Sequence, residues 1–202
     1  VIDVAADNGL TLSMDEVTEG TDVAPLIQAA IDSSATAGRG TVYLCPGVWW
    51  IGVPLRMKTK VRLTGSGWAT MIKLRSDSNC HMIINDTSTV ELYSIDNISM
   101  HGNKDGQGIP RATQNIWVNG IHAVWSTGGG FSRTDPQCYF WNLYVYWCAC
   151  DCFFISGRGG HFGMHIHLGE SRRYGANLQV FDSFWYDFNL GGIGGAGFNV
   201  GS

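Results

Sequence analysis

The feature that most constrains this chain is a short pattern that returns along its second half. Ile95-Asp96-Asn97-Ile98-Ser99-Met100 aligns with Phe140-Trp141-Asn142-Leu143-Tyr144-Val145, and more loosely with Val180-Phe181-Asp182-Ser183-Phe184-Trp185. A polar residue, Asn97, Asn142 or Asp182, holds the middle each time, at spacings of 45 and 40 residues. A second strand-like run follows each copy: Gly120 to Ala123, Cys152 to Ile155, and Gly197 to Val200. A short strand, a bend and a second short strand cannot bury an apolar face alone, so the copies must stack on one another. The pattern predicts a β-solenoid, with asparagine at the bend because it tolerates left-handed backbone and can ladder to the next coil. A sandwich or jelly roll is the competing arrangement.

Composition agrees with that reading. Only 15% of the 202 residues are charged, against about 25% in ordinary domains, while Gly reaches 27 and Trp 8. Short strands joined by tight turns fit better than a helical bundle. The formal charge of −4 offers no basic field to a phosphate backbone, so nucleic acid is not expected as a partner. No apolar run approaches the ~20 residues that cross a bilayer, and Val1 to Asn8 lack a signal-peptide pattern; membrane insertion is not expected. A start on Val1 and an end just after Phe198-Asn199-Val200 suggest a piece of a longer protein.

Val1 to Val4 reads as a strand, followed by a polar stretch to Gly20. One convincing helix spans 22–37: Thr21 or Asp22 at its cap, Pro25 in its first turn, and Val23, Leu26, Ile27, Ala30 and Ile31 in one apolar stripe. Gly38 and Gly40 end it. Strands are expected at Thr41–Leu44, Val48–Ile51, Val61–Thr64 and Met71–Leu74. Residues 1–60 thus form an N-terminal strand, a capping helix and a first coil, and 61–202 the remaining coils. Cys148, Cys150 and Cys152 alternate along a strand-like run, which points them to one face and favours free thiols over disulfides; no C-x-x-C spacing suggests zinc.

The stretch from Gly20 to Gly67 resembles the opening of pectate-lyase-like right-handed parallel β-helix proteins. It carries Thr21-Asp22, the helix around Leu26 to Asp32, Gly38-Arg39-Gly40-Thr41-Val42-Tyr43-Leu44, Pro46-Gly47, Pro54-Leu55 and Val61 to Gly67. Asp96-Asn97, His101-Gly102-Asn103 and Asn119-Gly120-Ile121 resemble the coil pattern of the same superfamily. The resemblance implies an all-β, right-handed parallel β-helix with an N-terminal capping helix. The same opening occurs in phage tailspikes and in secreted polysaccharide lyases, hydrolases and epimerases. A phage tailspike or fibre-like protein is the first expectation: a homotrimer in the virion, touching other virion proteins and binding or cleaving host-surface polysaccharide. A secreted polysaccharide lyase or glycoside hydrolase is the alternative, and a structural virion component without catalysis the third.

Sugar cleavage needs two carboxylates across a glycosidic bond, or a base beside a charge stabiliser. Asp151 and Glu170 are the first candidates for a catalytic pair. The polygalacturonase pattern is missing, and Thr134-Asp135-Pro136-Gln137 carries Gln137 where an epimerase motif would have histidine. In Phe162 to Leu168, alternation puts Phe162, Met164, Ile166 and Leu168 on one face and His165 and His167 on the other. In Phe140 to Tyr146 it puts Phe140, Leu143 and Val145 inward and Trp141, Tyr144 and Tyr146 outward, where they could form a flat platform for sugar rings or a trimer contact. Trp141, Tyr144, Tyr146, Trp185, Arg158 and His165 are therefore the candidate substrate-binding residues. No metal or cofactor is expected.

Overall fold

The computed structural model describes residues 1–87, 89–108, 121–124, 138–149, 152–158, 162–169, 176–181, 184–191 and 198–200. Beyond Phe153 it describes chiefly backbone and register. The chain opens with β1 (Ile2–Asp3), α1 (Val4–Asn8) and α2 (Ala24–Thr36), then β2 (Gly40–Tyr43), β3 (Gly47–Ile51), β4 (Leu55–Met57) and β5 (Val61–Leu74). There follow β6 (Ile83–Asn85), β7 (Ser94–His101), β8 (Ile121–Val124), β9 (Tyr139–Tyr146) and β10 (Phe153–Arg158). The last are β11 (Phe162–Gly169), β12 (Ala176–Phe181), β13 (Phe184–Gly191) and β14 (Phe198–Val200).

Among the described residues every strand pairing is parallel, and strands pair with their counterparts a full turn away. One sheet runs β1-β2-β5-β7-β9-β11-β13, with β3 beside β5; the other runs β4-β6-β8-β10-β12-β14. The first sheet is folded along its length. Residues 40–43 pair with 61–64 of β5, whereas 47–51 pair with 70–74 of the same strand, so each long strand has two limbs meeting at a corner. With the second sheet as a third side, the chain winds as a three-sided parallel β-helix.

The corners explain why the sequence can do this. Asn97 and Asn142 take φ of 55° and 50°, the left-handed region that asparagine enters more readily than most residues. The Asn142 side-chain amide donates to Asn97 Oδ1 at 2.6 Å, forming the ladder expected from the repeat. The corner residue also resets the alternation. Phe140 is buried, Trp141 exposed, Asn142 turns the corner, and then Leu143 and Val145 are buried with Tyr144 and Tyr146 half-buried outside them.

Inward residues stack in register. Val42, Leu63, Ile95 and Phe140 line the first limb, Trp49, Ile72, Met100, Val145 and Leu168 the second, and Leu55, Ile83, Ile121 and Phe153 the third side. All of these are essentially inaccessible, each contributing about 1.5–3 kcal/mol by burial.

The helix α2 closes the N-terminal end by burying Ala24, Ile27, Ala30 and Ile31. Asp22 Oδ1 accepts from the Ala24 N–H at 2.9 Å, and Val23 is the boundary residue. Gln28 does more than pack: its side-chain carbonyl accepts from the Arg56 N–H at 2.8 Å and its amide donates to the Arg56 carbonyl at 3.2 Å. It supplies the edge strand β4 with the partners that a further strand would give.

Two local expectations change. The polar stretch after β1 contains α1, capped by Asp3, whose carboxylate accepts from the Ala6 N–H at 3.1 Å. Residues 10–20 then form a strap over the outside of β3 and β5. Ser13 O accepts from Val48 N at 2.8 Å, Glu16 O from Lys73 Nζ at 2.6 Å, and the Glu19 carboxylate from Arg75 Nε and Ser76 N at 2.9 and 2.8 Å. A Cβ on Gly20 would lie 2.6 Å from the Trp50 ring, so glycine lets the strap seal Trp50.

The repeat also has a different length from the one the sequence suggested. Trp141 pairs with Met164, 23 residues on, and Met164 with Tyr186, 22 further. The stretch from Asn97 to Asn142 is one coil, but the next 45 residues hold two. The backbone positions matching Asn142 are His165 and Asp187; Asp182 lies between β12 and β13, outside the described residues. Cys148 and Cys152 are buried in the turn between β9 and β10 rather than on a strand, and the described cysteines are free thiols; Cys150 lies outside the described residues.

Candidate functional site

Because the inward rows are closed by packing, any chemistry must sit on the outward rows. On the first limb one row is Tyr43, Thr64, Asp96 and Trp141. Asp96 is 1% exposed although it is on an outward row. Its Oδ2 accepts from Arg62 Nε at 2.8 Å, and its Oδ1 from Arg62 NH2 at 2.8 Å, Thr64 Oγ1 at 2.6 Å and Asn97 Nδ2 at 2.7 Å. The bond to Asp96 raises the Arg62 pKa. With its lone pairs engaged, Asp96 anchors three coils: Arg62 and Thr64 come from one, Asn97 from its own, and Asn142, through Asn97, from the next.

The second limb carries an aromatic wall. Trp68, in the bulged middle of β5, stacks on Tyr144 with centroids 5.0 Å apart and planes 14° from parallel. It reaches across β7 because Ser99 is small; Ser99 Oγ is buried and bonded to the Thr70 carbonyl at 3.0 Å. Tyr144 stacks on Tyr146 at 4.4 Å, His101 meets Tyr146 edge-on at 4.8 Å, and His101 lies parallel to Trp147 at 5.9 Å. Lys104 Nζ sits 4.0 Å from the centre of the Trp147 ring, a cation–π contact.

The rings face one another, so they do not make the flat platform expected from the sequence. Tyr144 is stacked against both Trp68 and Tyr146, which leaves the ends and edges of the wall as its open parts. Trp68, at one end, is 61% exposed, and Trp141 beside the corner is 42% exposed.

Electrostatics follow from burial. Lys73 is buried under the strap, its Nζ 5.1 Å from the Trp50 ring centre, and desolvation lowers its pKa against the pull of Glu16 and Asp15. Desolvation first, and then the Lys73 charge, push His101 down to about 4. Burial likewise raises the Tyr146 phenol. Among the described residues, no group of three His, Cys, Asp or Glu side chains is placed to hold a metal.

The candidates from the sequence divide as follows. Trp141, Tyr144 and Tyr146 stand on the outward rows, with the two tyrosines joined in the wall. Asp151 and Glu170 lie outside the described residues. Arg158 ends β10, in register with Phe181. His165 takes the corner position of β11, and it is His167 that pairs with Tyr144. Trp185 pairs with Gly163 and through it with Phe140, whereas Tyr186 falls in the row of Trp141. Phe162 and Met164 pair with Tyr139 and Trp141, while Ile166 and Leu168 are buried; the corner at His165 separates residues that simple alternation had put on one face. Sequence reasoning grouped Trp147 with the outward aromatics but missed Trp68, the place of His101 beside Trp147 and the role of Arg62. Trp68 had one usable signal, a tryptophan directly after Gly65-Ser66-Gly67.

The family described as rhamnogalacturonase A/epimerase, pectate lyase-like, matches residues 15–120. No curated protein matches by sequence. Among solved structures, the A-module of the mannuronan C-5 epimerase AlgE4 from Azotobacter vinelandii superposes with a TM-score of 0.64 at 21% identity, over 97% of this chain and 59% of that one. ORF18 of Geobacillus virus E2 gives 0.62 at 16%, over 94% and 36%. A putative glycosyl hydrolase from Parabacteroides merdae gives 0.61 at 11%, over 95% of both. The chain thus spans less than two thirds of the epimerase module and about a third of the phage protein.

Proposed function

Since the chain belongs to the rhamnogalacturonase A/epimerase family of pectate-lyase-like proteins, we propose that it binds polysaccharide on the outside of the β-helix, at the end of the aromatic wall. The observation that carries this reading is the pair of exposed tryptophans, Trp68 and Trp141, the first of which is held rigidly by its stack on Tyr144. An indole fixed before the ligand arrives loses little conformational entropy on binding, which favours affinity for the apolar face of a sugar ring. The similarity to ORF18 of a virus supports a virion setting; within that setting we propose a homotrimer in contact with other virion proteins and host-surface glycan as ligand.

The test is titration of glycans, including alginate and polygalacturonate, into the wild-type chain and the Trp68→Ala and Trp141→Ala variants. Each variant is expected to bind about 5- to 30-fold more weakly, as suits loss of about 1–2 kcal/mol of ring contact. Unchanged affinity in both discards the reading.

A secreted lyase or hydrolase is the second reading, supported by the likeness to a putative glycosyl hydrolase over nearly the full length of both chains. There Asp151 and Glu170 act as the acid–base pair, and bond cleavage by the chain is the observable that distinguishes it from a binding module.

A further inference from the structure

Resting on the glycan-binding reading above, we propose that His101 is the orienting contact of that face, its Nε2–H donating a hydrogen bond to an oxygen of the bound sugar.

Three local features hold the ring. Gly102 lets the turn after β7 lie against the next coil: a Cβ there would come 2.7 Å from Cys148 Cα and 2.9 Å from the Trp147 carbonyl oxygen. The turn is then bonded to that coil, Gly102 N to Tyr146 O at 2.9 Å and Lys104 N to Trp147 O at 2.8 Å. Trp147, at φ 53°, lays its ring parallel to the imidazole, and Tyr146 meets it edge-on.

The protonation pattern follows from one bond. The Asn103 N–H donates to His101 Nδ1 at 3.0 Å, so Nδ1 is an acceptor and the neutral ring carries its proton on Nε2. Among the described residues Nε2 finds no acceptor. Nε2 is not among their buried atoms without a partner, the one such atom being Ser34 Oγ, which leaves its hydrogen for a ligand to take. Burial is the largest influence; Lys73 and Lys104 also oppose protonation of the ring, whereas a bond to its own backbone and Asp105 favour it, and together they keep His101 neutral near pH 7. A neutral donor of fixed direction reads where an oxygen lies without selecting for charge.

The experiment has two readouts. Nitrogen-15 spectra of wild-type protein show whether Nε2 carries the proton and whether its resonance moves when alginate, polygalacturonate or uncharged dextran oligosaccharide is added. In parallel, His101→Phe, which keeps a ring for Trp147 and Tyr146, is titrated beside Trp68→Ala. The expected result is an Nε2-protonated ring, a shift of its signal with the glycan that binds, and about 3- to 10-fold weaker binding by His101→Phe, with no added dependence on salt. If Trp68→Ala weakens binding while the wild-type Nε2 signal stays still, the role of His101 is wrong and the glycan-binding reading stands. If Trp68→Ala and Trp141→Ala leave affinity unchanged, both fall. A proton found on Nδ1 also overturns the proposal, whatever the variant does.

Discussion

Replacing Asp96 tests how the coils are tied together. Its two oxygens accept four hydrogen bonds, from Arg62 twice, Thr64 and Asn97. Asp96→Ala removes both acceptor oxygens and all four bonds. Thr64, itself buried, is left with an unmet hydroxyl, at a cost of about 1–3 kcal/mol. The Asn97 amide loses its anchor, which loosens the corner. The Arg62 side chain is 46% exposed and can rehydrate, so its share falls below the ~3–5 kcal/mol of a fully buried broken pair. The expected total is about 3 kcal/mol, a fall in melting temperature of about 6–12 °C for a chain this size. Asp96→Asn keeps an oxygen for Thr64 and Asn97 but turns an NH2 toward Arg62 Nε, so about half that loss is expected. Thermal and urea unfolding of the wild type and both variants measure the differences. A loss below about 1 kcal/mol for Asp96→Ala, or equal losses for Ala and Asn, would refute the view of Asp96 as the acceptor hub of three coils.

Four further outcomes are expected. His101 has a lowered folded-state pKa, about 4 against an ordinary 6.5, so its stabilising contribution is complete above 6.5 and is lost as pH falls from 6.5 toward 4; the change is about 3 kcal/mol. Urea unfolding of wild type and His101→Phe at pH 7 and pH 4 should show the gap between them narrowing at the lower pH, and a constant gap would contradict this. Asn142→Ala combines a left-handed backbone with loss of the bond to Asn97, and calorimetry should show destabilisation of about 1–2 kcal/mol. Asp151→Ala and Glu170→Ala should abolish any glycan cleavage by the chain, measured by release of new reducing ends; undiminished cleavage removes the pair from consideration. Light scattering should give three times the 22.0 kDa chain mass if the virion reading holds, and a monomer at every concentration counts against it.

The helical winding was legible because its causes are local. The capping helix, the asparagine corners, and the split of Phe140, Leu143 and Val145 from Trp141 all follow from propensity and alternation. The coil length was harder to see. At the corner of β11 stands His165 and at that of β13 Asp187, so the asparagine that marks earlier coils is missing and two short coils resemble one long one. Alternation also fails across a corner, as Phe162 and Ile166 illustrate: both are apolar and four apart, yet they align with Tyr139 and Leu143, on different rows. The wall was hidden for another reason. Trp68, His101 and Tyr144 belong to three successive coils and are separated by dozens of residues, and no period in the sequence links a tryptophan in a bulge to a tyrosine two coils away.

The corners also divide the chain's mutational freedom. Adjacent coils are about 4.8 Å apart, and each repeats the same outward positions while its inward ones remain committed to the stack. Past the Asp96 hub, the row continues by backbone register through Trp141 to the positions of Met164 and Tyr186, at equal steps. Exchanging one of these moves a chemical group by a fixed distance along the axis and leaves the fold's apolar rows untouched. A surface built this way can change what it recognises one coil at a time, while the fold that carries it stays the same.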